Sequence, residues 1–266
     1  MPFSARQGFF GGNLWTPVDT TTLVWLHVDD TSTYEVTNIG GTDYITTWYN
    51  QSGTDFVNNT DDAPELPGGG NVAVVGVGIP FGPSDTEFLR ANTSFLSNTN
   101  PNFMCVMMCS YNDNDFGGTN YAISVGDGDG RIEVGLSNQD LPAPLSWNHG
   151  DGNSDHGNVA SGAGQVITSW QRSSGTDYSD DAVYLFGNVS ARTASANLTN
   201  SPNITGNTTL APPGVLTYQG TIREVIIAES DSNDTRQRLE GYLAWKFGKS
   251  GELPASHPYK EGPPTT

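Results

Sequence analysis

The chain is short of positive charge: 11 Lys and Arg stand against 29 Asp and Glu, a formal net charge of −18 over 266 residues. Binding to DNA or RNA needs cations that displace counterions from phosphates, so nucleic-acid partners are excluded. Cysteine is scarce as well. Cys105 and Cys109 are the whole supply, and on one strand they sit roughly 13 Å apart at about 3.3 Å per residue, beyond disulfide reach. Two free, buried thiols fit a protein assembled in a reducing cytoplasm. No apolar run reaches the roughly 18 residues of a membrane span, and the opening MPFSARQGFFGGN has no apolar h-region of a secretory signal. The sequence shows no nucleophile elbow, phosphate-binding glycine loop or zinc motif. No cofactor or metal is expected, and nothing compels an enzyme.

Turn formers dominate what is present, with Gly 32 and Pro 16 between short apolar segments and 10% aromatic residues to fill a core. Candidate strands fall at 23–28, 44–49, 72–77, 103–110, 121–125, 131–136, 166–172, 182–186 and 223–228. The segment at 103–110, FMCVMMCS, is apolar on both faces, as in a central strand covered twice. By contrast, 131–136 alternates Ile132, Val134 and Leu136 with Arg131, Glu133 and Gly135. Two packed antiparallel sheets follow from these patterns. The stretches 137–164 and 190–214 are polar and are expected as surface loops.

A helix is expected at 233–247. Asp231, Ser232 and Asp234 offer cap oxygens, Leu239, Leu243 and Phe247 recur every four residues beside Tyr242 and Trp245, and Gly248 ends the turn. Its broad apolar face has to dock on the sandwich.

Two stretches carry a family resemblance. EGYLAWKFG followed by LPASHPYK, and LVWLHVDDTST followed by ITTWYNQSG, resemble the terminal signatures of concanavalin A-like, laminin-G-like domains in bacteriophage virion proteins. His27 stands where that family usually has an acidic residue. The resemblance implies an all-β fold, a concanavalin A-like jelly-roll β-sandwich over residues 15–266 with one short C-terminal α-helix, a Pro-rich tail and an extended N-terminal arm at 1–14. It also implies a virion surface structural protein, assembled in the host cytoplasm as a capsid decoration or a head or tail appendage. Other virion proteins and further copies of the chain are the expected partners, with no membrane contact. On the arm, Arg6, Phe9 and Phe10 are candidates for virion anchoring, against an arm that folds back on its own domain.

The loop SWNHGDGNSDHG is the most site-like segment. Trp147 offers a flat face to a sugar ring, while Asn148, His149, Asp151 and His156 offer donors and acceptors to its hydroxyls, so these five are candidates for contact with host-surface glycan. The competing reading tucks Trp147 into the sandwich edge. Glu229, Asp231 and Asp234 form an E-x-D-x-x-D string close to that of glucanases on this fold. Their place at a helix start favours capping over hydrolysis. Asp127 and Asp129, or Asp113 and Asp115, fail the calcium-loop pattern because its last bidentate ligand is Asn138 or Ser124. The alternatives to a structural role are a glycan-depolymerising hydrolase on the same fold and a bacterial surface lectin.

Overall fold

The computed structural model describes residues 15–19, 21–29, 31–58, 64, 78–81, 87–93, 95–96, 98–99, 101–111, 120–126, 130–136, 143–149, 152–160, 164–173, 181–191, 194–195, 203–204, 206–212 and 218–266. Among them two antiparallel sheets pack face to face. The first runs in the order Thr22–His27, Gly220–Ala228, Phe103–Tyr111, Gln165–Arg172, Asp181–Leu185, Asn188–Ser190, with Ile79–Phe81 also on Gly220–Ala228. The second has ten strands: Ala194–Ser195, Gly152–Val159, Ala143–His149, Ile132–Leu136, Asn120–Val125, Thr208–Leu210, Leu89–Ala91, Phe56–Val57, Thr42–Trp48 and Tyr34–Ile39. Consecutive hairpins alternate with neighbours distant in sequence, such as Thr22–His27 with Gly220–Ala228 and Asn120–Val125 with Thr208–Leu210, as jelly-roll connections require.

The alternation of side chains along Phe103–Tyr111 builds both cores of the molecule. Phe103, Cys105, Met107, Cys109 and Tyr111 enter the core between the sheets, beside Trp48, Trp147, Trp170 and Tyr218. Met104, Val106 and Met108 face the other way and meet Leu239, Tyr242 and Leu243 of the C-terminal helix. The strand is thus covered on both sides, as its uninterrupted apolar sequence predicts. Both thiols are buried and free.

The helix spans Asn233–Lys246. Ser232 is its N-cap, accepting from the Thr235 amide, and Asp234 pairs with Arg238 at 2.8 Å one turn on. At the other end Gly248, at φ 69°, lets its own amide reach the Trp245 carbonyl and that of Lys249 reach Ala244. This reciprocal pair closes the helix as a Schellman motif.

Two expectations need correction. The expected loop at 137–164 holds a long hairpin, Ala143–His149 with Gly152–Val159, and the one at 190–214 holds three short strands, Ala194–Ser195, Asn203–Ile204 and Thr208–Leu210. Their Asn-, Ser- and Thr-rich composition has low strand propensity, but pairing overrides it: Ala143–His149 lies on Ile132–Leu136, Thr208–Leu210 on Asn120–Val125, Ala194–Ser195 on Gly152–Val159, and Asn203–Ile204 on Asn98–Thr99 in a separate two-stranded sheet. The expected strand at 72–77 and the N-terminal arm, with Arg6, Phe9 and Phe10, lie outside the described residues.

Candidate functional site

The hairpin changes the reading of the glycan candidates. Trp147 is 0% exposed and stands edge-on to Phe103 in the inter-sheet core, with ring centroids 5.4 Å apart. It presents no face to a ligand, which corrects the expectation of an exposed platform. His156 is buried as well, its Nδ1 3.3 Å from the Ser190 carbonyl oxygen. Asn148 pairs through its backbone with Glu133 and Asn153, and His149 with Ile132 and Gly152. Asp151 lies outside the described residues, as do Asp113, Asp115, Asp127 and Asp129. Of the five candidates, Trp147 and His156 are thus buried in the protein.

The two motifs that carry the family resemblance are occupied by structure. In YNQSG, the Asn50 side chain accepts from the amides of Trp25 and Ser52 and donates to the carbonyls of Leu23 and Thr54, fastening a loop to the first strand. In EGYLAWKFG, buried Glu240 accepts from Arg236 at 2.6 Å, from Ser169 at 2.7 Å and faces His257 Nε2 at 3.2 Å. The Tyr259 amide donates to His257 Nδ1, which makes Nε2 the protonated nitrogen that donates to Glu240. Trp245 Nε1 donates to the Tyr259 carbonyl. Arg236 also lies over the Tyr184 ring, 3.6 Å from its centroid. Glu229, Asp231 and Asp234 are exposed at the helix start, away from any cleft floor.

Lys246 anchors a third polar group at the other end of the helix. Its Nζ lies 2.7 Å from both Asp29 and Glu224 and 3.0 Å from the Tyr242 hydroxyl, while Trp25 Nε1 donates to Glu224 at 2.8 Å. Burial pushes the Asp29 carboxyl up, but the pull of His27 and Lys246 outweighs it and holds the group at about 2. Among the described residues no cluster of three or more His, Cys, Asp or Glu is arranged to hold a metal ion.

Among the described residues, the face of the ten-stranded sheet turned away from the core is a further candidate for a ligand. Strand register aligns Glu133, Ser124, Thr209, Arg90, Val57, Thr47 and Glu35 in one transverse row over seven strands. At about 4.8 Å per strand the row is roughly 29 Å long. Each member neighbours a core residue in sequence, such as Leu89 and Ala91 around Arg90 or Ile123 and Val125 around Ser124. The pleat therefore turns the row outward.

The row is closed to solvent at Glu133, Ser124, Thr209 and Thr47 and opens at half-buried Arg90 and Val57 and exposed Glu35. Arg131 pairs with Glu133 at 2.8 Å, and Thr47 donates to Glu35 at 3.2 Å. Arg90 donates to Thr209 Oγ1 at 3.4 Å and lies 5.0 Å from the centre of the half-buried Phe88 ring. An aromatic plane, a guanidinium, hydroxyls and a carboxylate on a rigid sheet can stack on a sugar and hydrogen-bond its hydroxyls. Sequence reading passed over Phe88 and Arg90. The available signal was one of 11 cations placed two residues after an aromatic, FLR, in an acidic chain.

No family model and no curated protein matches the chain. Solved structures do. An arabinofuranosidase complexed with an arabinofuranosyl xylobiose superposes at TM-score 0.58 and 14% identity, covering 87% of this chain and 63% of that one. A GH54 α-L-arabinofuranosidase soaked with a cyclic sulfate inhibitor gives 0.56 at 13%, with the same coverage of 87% and 63%. Trypanosoma rangeli sialidase in complex with sialic acid gives 0.52 at 12%, covering 83% of this chain and 33% of that one. The chain spans about a third of the sialidase and under two thirds of the arabinofuranosidases. At such identities the likeness is one of fold: an all-β, concanavalin A-like two-sheet sandwich with a single C-terminal helix.

Proposed function

We propose that the chain is a non-enzymatic structural protein of a bacteriophage virion surface, a capsid decoration or a head or tail appendage, whose ten-stranded sheet contacts host-surface glycan. The observation that carries the glycan contact is the row from Arg90 to Glu35 with Phe88 at its side. It is polar, preorganised by strand pairing and open at one end. The virion context rests on the resemblance of both terminal motifs, and the acidic surface suits a position outside packaged DNA, whose phosphates would repel it. Single contacts of this kind are weak, and many copies on one particle supply avidity.

The test is retention of purified protein, displayed in many copies on beads, by host envelope polysaccharide. Phe88→Ala and Arg90→Ala are expected to weaken retention by about 2- to 30-fold, the worth of a cation–aromatic platform. Trp147→Phe is expected to leave it unchanged. No retention of the wild type overturns the glycan contact, and antibodies that fail to label intact particles overturn the virion position. The buried Glu133 in the same row favours one rival, a depolymerase. Reducing ends released by the wild type and lost in Glu133→Gln would put that rival in its place.

A further inference from the structure

Lys246, Glu224 and Asp29 meet in a pocket walled by aromatic rings. Glu224 is 0% exposed and the Lys246 side chain 4%. Trp25 and Tyr242 stand edge to face 6.4 Å apart beside them, and Phe247 lies 5.4 Å from Nζ. The carboxylate of Glu224 is held at both oxygens: Oε1 accepts from Trp25 Nε1 at 2.8 Å, and Oε2 is 2.7 Å from Lys246 Nζ. Asp29, 42% exposed, reaches the same Nζ from the solvent side. An amine fixed against a dry carboxyl group, with an N–H on the other oxygen and a second carboxylate within proton-transfer reach, is a constellation for acyl transfer.

We propose that Lys246 and Glu224 condense to an isopeptide bond in the folded protein, fastening the C-terminal helix covalently to the strand Gly220–Ala228. The ammonium first gives one proton to Oε2 along their 2.7 Å contact, leaving an amine beside a carboxylic acid. The amine then attacks Cδ. Negative charge gathers on Oε1, where the Trp25 indole N–H stabilises it. The nitrogen, now cationic and strongly acidic, loses its second proton through Asp29 to the departing Oε2. Water leaves on the Asp29 side, which opens to solvent. The stoichiometry is carboxylate plus ammonium to amide plus water, with no oxidant, reductant or cofactor, and Asp29 ends as it began. The bond closes a loop between Glu224 and Lys246, 22 positions apart, and joins an element of the sheet to the helix that seals its outer face.

The test is the intact mass of purified, folded, full-length protein. The expected value is about 18 Da, one water, below the mass of the sequence. Trypsin is expected to leave Lys246 uncut and to yield a branched peptide containing both residues, and Lys246→Arg is expected to show the full mass. Asp29→Ala is expected to slow the approach to the lower mass at least tenfold. A wild type that keeps the full mass after days in its folded state overturns the proposal. So does a deficit that persists in Lys246→Arg, because it marks a dehydration elsewhere, such as a succinimide at an Asp-Gly pair. Formation at an unchanged rate in Asp29→Ala overturns the role given to Asp29.

Discussion

Gly241 shows how much one residue of the terminal signature carries. It sits in mid-helix, where glycine costs about 1 kcal/mol relative to alanine, and it is there because a Cβ at that point would lie 2.5 Å from Tyr259 Cβ. The tail LPASHPYK packs directly on the helix through this gap. Gly241→Ala is expected to lower stability by about 1–3 kcal/mol despite the better helix propensity, from overpacking against backbone-fixed atoms. In a Tyr259→Gly background the same change should be neutral or stabilising by up to about 1 kcal/mol, and denaturant melts of the four proteins give the coupling directly. Glu240 is the second such residue. Glu240→Ala strips the partner from buried Arg236, for an expected loss of about 3–5 kcal/mol in the same melts. These two residues explain why the motif identifies a fold: its side chains dock the helix, and its conspicuous carboxylate is consumed within the protein.

At the scale of elements, legibility followed periodicity. Strands with a clean alternation, such as Ile132–Leu136, and the apolar Phe103–Tyr111 were readable because burial on one or both faces dictates residue type. The helix was readable from Ser232, its apolar spacing and Gly248. The hairpin Ala143–His149 with Gly152–Val159 was not, since its Asn, Asp and Gly mimic a loop, and only Leu145, Trp147 and Val159 report the core side. The proposed glycan face was hidden for a related reason: its row is assembled across seven strands, and no local window contains two adjacent members. Trp147 tests the reassignment. Its indole N–H is buried without a hydrogen-bond partner among the described residues, so Trp147→Phe removes a costly unmet donor along with some volume and is expected to cost under about 2 kcal/mol. Trp147→Ala leaves a cavity between the sheets and is expected to cost about 3–5 kcal/mol. Equal and small losses for both variants, in thermal or urea melts, would return Trp147 to the surface.

For the whole molecule, one consequence of the two cores is a set of acidic groups locked in their neutral form. Burial pushes the Cys109 thiol up to about 11, with hydrogen bonds from Thr168, Tyr111 and Tyr218 pulling weakly the other way. Burial likewise raises Cys105, Tyr111, Tyr218 and Tyr242 well above their ordinary values. Unfolding releases all five to water, where thiols ionise near 9 and phenols near 10. The unfolded chain therefore sheds protons that the folded one keeps, and the sign follows: the contribution of these five groups is flat below about pH 8 and falls as pH rises through 9 to 11. The surface, already at −18, has no reserve of positive charge to offset the added repulsion. Melting temperature measured from pH 7 to 11 is expected to drop steeply above 9. Replacing both thiols, as Cys105→Ala with Cys109→Ala, lowers the starting stability but makes the slope between 9 and 11 shallower. Native thiols should resist alkylation at pH 8 and react fully once the chain is unfolded, and a wild-type protein whose thiols label rapidly while its sheet remains intact would contradict the burial that both cores depend on.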